Sequence, residues 1–355
     1  ILFLLLSNSL AHDCGISNPI EEQTTIDIAP LGKWPWMVYV EPMGCGGTII
    51  ADRWILTAAH CFDYLLGEAF DYADGESEEE SNEESNEDKD KPVFIRVSVV
   101  NLNKAIQDDI HNKTVYGMLN LYTHEEYNIT TLKNDIALIE LDRPITYSET
   151  VALICLTHAH QEINLDQEGW IIGFGDHIDH ETDEFENGSN ELREAPIPLS
   201  LHEDCEATWG EDYDVVNHFC AGSDKVDAGS SPLPPAPTPN LTFDIPSGDS
   251  GGPLMLQSVE GPWYQIGIVS HGKDYNNTER EIVIGAYASV SRYCDWIEEK
   301  TGGEAKCAEK NVEMRLLPEK EKEKEIIEYD NEDEDGDDAI QSSTMTLSKL
   351  LGKNA

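Results

Sequence analysis

From Gln23 to Gly302 the chain alternates short apolar runs with turn-forming residues. Trp36–Val40, Val93–Val100, Ile136–Leu141, Trp170–Ile172, Trp263–Val269 and Ile282–Val290 are rich in Val, Ile, Leu and aromatic residues, and Gly, Pro, Asn and Asp separate them. Runs this short with turns this frequent predict an all-β barrel or sandwich. One helix is predicted, from Ser291 to Lys300, stopped by Gly302-Gly303. No internal repeat interrupts the pattern.

The apolar pattern fails in four places, and these divide the chain. Residues 1–11 (ILFLLLSNSLA) form an apolar run too short for a membrane helix, and Ser9-Leu10-Ala11 has the small-x-small character of a signal cleavage site, so this segment reads as a signal-peptide remnant cut after Ala11. Residues 12–22 then form an N-terminal tethered segment, and residues 23–302 the ordered body. Within the body, 68–91 is dominated by Glu and Asp and reads as a solvated loop, because burial cannot offset its ordering entropy. Residues 229–246 are rich in Pro and Ser and read as an extended insertion, or as a segment foreign to the true gene product. Residues 303–355, with runs of Glu and Lys and then of Asp and Glu, read as a disordered acidic tail.

Composition narrows the function. Charged residues are 26% and the hydrophobic set 39% of 355 residues, enough for a sizeable core. Against 70 Asp and Glu stand 23 Lys and Arg, a formal charge of −47. That excess disfavours nucleic acid and anionic membranes as partners, since both are held through clustered cations. Asn-x-Ser/Thr sequons begin at Asn112, Asn128, Asn187, Asn240 and Asn276. With the leader they suggest a secreted glycoprotein, and in an oxidising compartment the eight cysteines default to disulfides.

Three segments carry candidate chemistry: Thr57-Ala58-Ala59-His60-Cys61, Asn134-Asp135-Ile136-Ala137-Leu138-Ile139, and Gly248-Asp249-Ser250-Gly251-Gly252-Pro253-Leu254. A serine hydroxyl is a weak nucleophile until a base takes its proton. An imidazole supplies that base, and a buried carboxylate fixes its tautomer and stabilises its charged form. Glycines about Ser250 let the backbone turn so that N–H groups converge on an oxyanion. The chemistry suggested is acyl transfer at a carbonyl. His177-Ile178-Asp179-His180 has the look of a metal cluster, but no further ligand follows, and it reads as a solvated loop, as do His158 and His160. No metal or other cofactor is expected.

The three segments, in the order His, Asp, Ser, resemble the chymotrypsin/trypsin family of serine proteases. Trp34-Pro35-Trp36-Met37-Val38, Gly46-Gly47-Thr48-Ile49-Ile50, Gly169-Trp170-Ile171-Ile172-Gly173-Phe174-Gly175, Cys220-Ala221-Gly222 and Asp295-Trp296-Ile297 share the resemblance, which spans Cys14 to Lys300. It implies two packed antiparallel β-barrels with a C-terminal helix and an active site in the crevice between the barrels. It makes His60 the general base, Asp135 the orienting carboxylate and Ser250 the nucleophile, with the N–H groups of Gly248 and Ser250 as oxyanion hole. It pairs Cys45 with Cys61, Cys205 with Cys220 and Cys14 with Cys155, which leaves Cys294 and Cys307 to bridge the helix to the tail.

The resemblance also implies a specificity pocket. Ser270, Gly272 and Gly285 match substrate-binding positions, and His271 stands where the family usually has Trp. The disulfide that usually braces this pocket lacks both cysteines, so a more mobile pocket wall is expected. Asp244, by spacing, or Asp227, by the local sequence Lys225-Val226-Asp227-Ala228, occupies the pocket floor, and either implies cleavage after Arg or Lys. Expected partners are polypeptide substrates with a lean toward basic ones and protein protease inhibitors.

Activation is where the chain departs from the family pattern. A new Ile or Val amine, freed after a basic residue, ordinarily pairs with the Asp beside the nucleophile, here Asp249. The corresponding stretch is Gln23-Thr24-Thr25-Ile26, and no Lys or Arg precedes Lys33. Asp249 is therefore expected to have another partner or a zymogen-like position. Two readings follow: a secreted endopeptidase with an unusual activation route, and a non-catalytic or zymogen-locked homologue acting as a binding or regulatory module. The acidic insertion follows the His60 segment and is expected at the rim of the cleft, where it steers basic partners inward or is a tether without a role.

Overall fold

The structure is a computed structural model and describes residues 13–20, 27–66, 92–104, 114–161, 163, 167–175, 177–178, 185–186, 188–199, 205–206, 209–210, 213–222, 249–272 and 285–316. The leader, the acidic and Pro-rich insertions, residues 23–26 and the tail beyond Leu316 lie outside the described residues. So do Gly248, Asp227, Asp244, His180 and the sequons at Asn112, Asn187, Asn240 and Asn276.

Six strands close a first barrel: β1 (Met37–Glu41), β2 (Cys45–Ala51), β3 (Trp54–Thr57), β4 (Phe94–Val97), β5 (Val115–Thr123) and β6 (Ala137–Leu141), in the order β1-β2-β3-β6-β5-β4. All its pairings are antiparallel, and β1 meets β4 to complete the ring. Its sequence explains it. Ile49, Ile55, Leu56, Ile95, Leu138 and Ile139 are fully buried, and β-branched and Leu side chains of this size each contribute about 1.5–3 kcal/mol on burial.

The second half is a seven-stranded sheet: β7 (Cys155–Leu156), β8 (Glu168–Gly173), β11 (Arg193–Pro198), β12 (His218–Ala221), β13 (Pro253–Gln257), β14 (Trp263–His271) and β15 (Gly285–Ser289). The order is β11-β8-β13-β14-β15-β12, with β7 parallel to β14. The outer strands curl toward each other: Leu199 bridges Ala221, and the Gly222 N–H donates to the Pro198 carbonyl at 2.8 Å. His177–Ile178 forms a two-residue strand, β9, paired with β10 (Phe185–Glu186), so His177 sits in a hairpin and not in the loop its polar surroundings suggest.

The halves interlock through buried polar and aromatic contacts. Trp36, fully buried, directs its indole N–H to Met255 Sδ at 3.1 Å, and Thr48 Oγ1 donates to Gln265 Oε1 at 2.6 Å. The segment before β1 is latched to β11. Asp27 pairs with Arg193, Lys33 pairs with Glu194, and the Trp34 indole donates to Glu194 Oε2 at 2.5 Å. Lys33 also lies over the rings of Trp34 and Trp170, at 5.3 and 4.9 Å from their centroids.

The C-terminal helix runs from Cys294 to Lys300, three residues shorter at its start than its sequence suggests. Val290–Arg292 winds instead as a 3-10 turn, with the Ser289 and Ser291 hydroxyls bonded to each other at 3.1 Å. Beyond the helix, residues 303–316 pack on the body. Cys307 is disulfide-bonded, Met314 is buried, and the Arg315 N–H donates to the Gln257 carbonyl. Residues 303–316 therefore belong to the packed body and not to the disordered tail expected from residue 303 onward, because Val312 and Met314 supply apolar anchors within a polar stretch. Among the described residues no helix is long and apolar enough to cross a membrane.

Candidate active site

His60 begins a 3-10 turn directly after β3. The turn is pinned on its far side by the Cys45–Cys61 disulfide, whose Cα atoms are 6.3 Å apart. Asp135 precedes β6, the strand paired with β3, and the antiparallel register sets Thr57 opposite Ala137. That register brings the two segments, 75 residues apart, into contact. The His60 backbone N–H donates to Asp135 Oδ1 at 2.9 Å, and His60 Nδ1 lies 2.7 Å from Oδ2.

Asp135 is fully buried, and a buried carboxylate needs every acceptor site filled. The Ser270 hydroxyl, from β14, supplies the third donor to the carboxylate, 2.5 Å from Oδ2. Burial works against the anion, but the His60 charge and hydrogen bond, the Ser270 hydroxyl and the His60 N–H outweigh it, and the Asp135 pKa lies below the ordinary carboxylate value. In the same way burial opposes a charged His60, yet the charge and hydrogen bond of Asp135, with Asp63 behind, hold its pKa above the ordinary imidazole value. With Nδ1 donating to Asp135, the tautomer leaves Nε2 as the basic nitrogen. His60 keeps 20% of its side chain exposed, while Asp135 has none.

Ser250 lies in the turn before β13, partly exposed. The turn is stitched to both halves: the Gly46 N–H of β2 donates to the Ser250 carbonyl at 2.8 Å, and the Gly251 N–H donates to the Val269 carbonyl at 2.9 Å. Gly251 has φ +78°, a conformation in which only glycine is relaxed, and it lies against Thr57 and Ala58, just before His60. Asp249, beside the serine, is turned inward. The Gly175 N–H donates to its Oδ1 at 2.8 Å. At Gly173 a Cβ would fall 1.7 Å from the same oxygen, so the carboxylate occupies the space that two glycines leave open.

The structure thus joins His60, Asp135 and Ser270 by hydrogen bonds and sets the Ser250 turn against the strand ends that carry them. Gly272 lies partly exposed just after β14, and Gly285 is buried at the start of β15. Ser270, read from sequence as a substrate-binding residue, acts in the structure as a donor to Asp135. No local motif signals that bond, because it joins strands of different halves. The cysteines pair as Cys14–Cys155, Cys45–Cys61, Cys205–Cys220 and Cys294–Cys307. Among the described residues the one group with metal-ligand proximity is Cys45, His60 and Cys61, and its two cysteines are joined as a disulfide, so it offers no thiolate. His158 and His160 lie with their rings 6.0 Å apart.

A model of the Trypsin family matches residues 25–112, 95–232 and 239–297. The chain belongs to this family of trypsin-like serine proteases. It is 30% identical over 309 residues to the proclotting enzyme of Tachypleus tridentatus, covering 82% of this chain and 69% of that protein. It is 30% identical over 284 residues to coagulation factor XI of Bos taurus, covering 77% of this chain and 36% of the relative, so it spans about a third of that protein's length.

Proposed function

We propose that the chain is a secreted serine endopeptidase in which His60 takes the proton of the Ser250 hydroxyl as it attacks a peptide carbonyl. Asp135 holds the imidazole in the Nδ1–H tautomer and stabilises the imidazolium that forms. The N–H groups of Ser250 and Gly248 receive the developing oxyanion. His60 then returns the proton to the leaving amine, and water repeats the sequence on the acyl-enzyme. The observation that carries this reading is the buried Asp135 carboxylate, bonded to both the ring and the backbone of His60 and braced by Ser270. A module that only binds has no use for a carboxylate held this way.

Preference for Arg or Lys before the cut bond rests on Asp244 or Asp227 at the pocket floor. Secretion rests on the leader and on four disulfides, which persist in oxidising compartments. Asn128 is exposed and suits glycan attachment.

The second reading, a zymogen-locked regulatory homologue, is favoured by one observation. Lys33, the Lys or Arg that next follows the Gln23–Ile26 stretch, is engaged by buried Glu194, so cleavage after it would cut through a packed latch. Hydrolysis of a peptide library by the secreted protein separates the two, with N-terminal sequencing before and after treatment with processing proteases and a Ser250→Ala control. Cleavage after Arg or Lys that Ser250→Ala abolishes supports the endopeptidase. Absence of Ser250-dependent cleavage under every processing condition supports the locked homologue.

A further inference from the structure

His271 stands at the end of β14, where the pairing with β15 slips between Val269 and His271. In a regular strand neighbouring side chains point to opposite faces, so Ser270 and His271 would not meet. The irregularity lets them: Ser270 Oγ and His271 Nδ1 are 3.1 Å apart. Ser270 has one hydroxyl hydrogen, and it is given to Asp135 Oδ2. The contact with His271 therefore requires the nitrogen to donate, with its proton on Nδ1. A continuous line of hydrogen bonds results, from His271 through Ser270 and Asp135 to His60.

We propose that His271 is a positioning residue that sets the basicity of His60 through Ser270 and Asp135. A hydroxyl that accepts one hydrogen bond donates a stronger one. With His271 donating, Ser270 draws more of the Asp135 charge to itself, and less is left to stabilise the His60 imidazolium. The ring is held for this task. Trp209 meets it edge-on at 4.6 Å between centroids, and His218 lies at 5.8 Å. Among the described residues, the titratable and charged groups near it include Asp135 behind Ser270, His218 on β12, Tyr213 against His218, and Asp214 and Lys133, which act on His218, while Asp63 also acts on His60. Burial of His218 favours its neutral form. The role deepens the proposed acyl-transfer chemistry and rests on that reading for its use in catalysis, although the coupling itself is a property of the resting protein.

The test is an NMR titration of the His60 ring in the full chain, its resonances assigned by their loss in His60→Gln. His271→Phe removes the donor and is expected to raise the His60 midpoint by about 0.3 pH unit. His271→Asn, which keeps a donor at a similar reach, is expected to restore the wild-type midpoint. In a Ser270→Ala background, His271→Phe is expected to leave the midpoint where Ser270→Ala alone puts it. An unchanged midpoint in His271→Phe, or an equal shift with and without Ser270, overturns the proposal, as does failure of His271→Asn to restore it. The titration needs no turnover. Absence of Ser250 chemistry would sink the protease reading and leave the coupling standing, and loss of the coupling would leave the protease reading standing.

Discussion

A methyl group added to Gly251 would lie 2.2 Å from the Thr57 hydroxyl oxygen and 2.6 Å from the Gly46 carbonyl oxygen. The residue after Ser250 is therefore in closest contact with the strand end that leads into His60. Gly251→Ala must push the two segments apart, and misplacements of about 1 Å cost about 10²-fold in rate. Acylation of Ser250 is predicted to slow by at least that factor. Gly261→Ala, at φ +117° with open space around it, carries backbone strain without the displacement, and its acylation rate is predicted to match wild type. Stopped-flow labelling of both variants makes the comparison.

The pKa directions at the site set the pH dependence. His60 is raised, so it becomes a neutral base only above the ordinary imidazole value of 6.5. The acidic limb of kcat/KM is predicted to lie above that pH. The same shift stabilises the fold below the unfolded-state value and loses that contribution as pH rises through the folded one. Asp135 is lowered, so its contribution is present above 3.8 and is lost as pH falls through its folded value. Asp135→Asn removes the anion and offers His60 the wrong tautomer, which is predicted to lower kcat by about 10⁴-fold. A pH–rate profile and chemical denaturation across the same range check both signs.

Lys33→Met tests the latch before β1. The side chain of Glu194 is fully buried, and its ammonium partner is 20% exposed. Removing one member of a buried pair leaves the other charge uncompensated, at a cost of about 3–5 kcal/mol. The Trp34 indole still donates to Glu194, which places the expected loss near the lower end. Lys33→Met with Glu194→Leu, which removes both charges, is predicted to be the more stable of the two variants. Urea denaturation measures the difference.

The Cys45–Cys61 disulfide closes a loop of 16 residues that ends beside His60. Replacing both cysteines with Ala is predicted to cost about 3 kcal/mol by loop entropy. Activity is predicted to fall with it, because Cys61 is the neighbour of His60. Thermal unfolding and peptide hydrolysis on the same sample check both effects.

The fold was legible because most strands carry their own pattern. Ala137–Leu141 and Trp263–His271 are apolar, short and bounded by turns, and they form as strands near the places their sequences indicate. The start of the helix was less legible: Ser291 is a plausible helical residue in sequence, yet its hydroxyl is buried against Ser289 in a 3-10 turn. Glu194 was illegible for a different reason. In Arg193-Glu194-Ala195-Pro196 a charged residue reads as a solvent face, and only the return of Lys33 and Trp34 from 160 residues away makes a buried carboxylate tolerable there. At the site, motif order pointed to His60 and Asp135. The support that Ser270 and His271 give them depends on a strand irregularity and on contact across the two halves.

The most direct measurement is mass spectrometry of the purified protein after treatment with a fluorophosphonate, read peptide by peptide, beside His60→Ala and Ser250→Ala. A single adduct on Ser250, formed in the wild type and lost in both variants, is predicted. No adduct on Ser250 under any processing condition, or an adduct on Ser250 that forms as fast without His60, would contradict a serine activated by the His60–Asp135 pair.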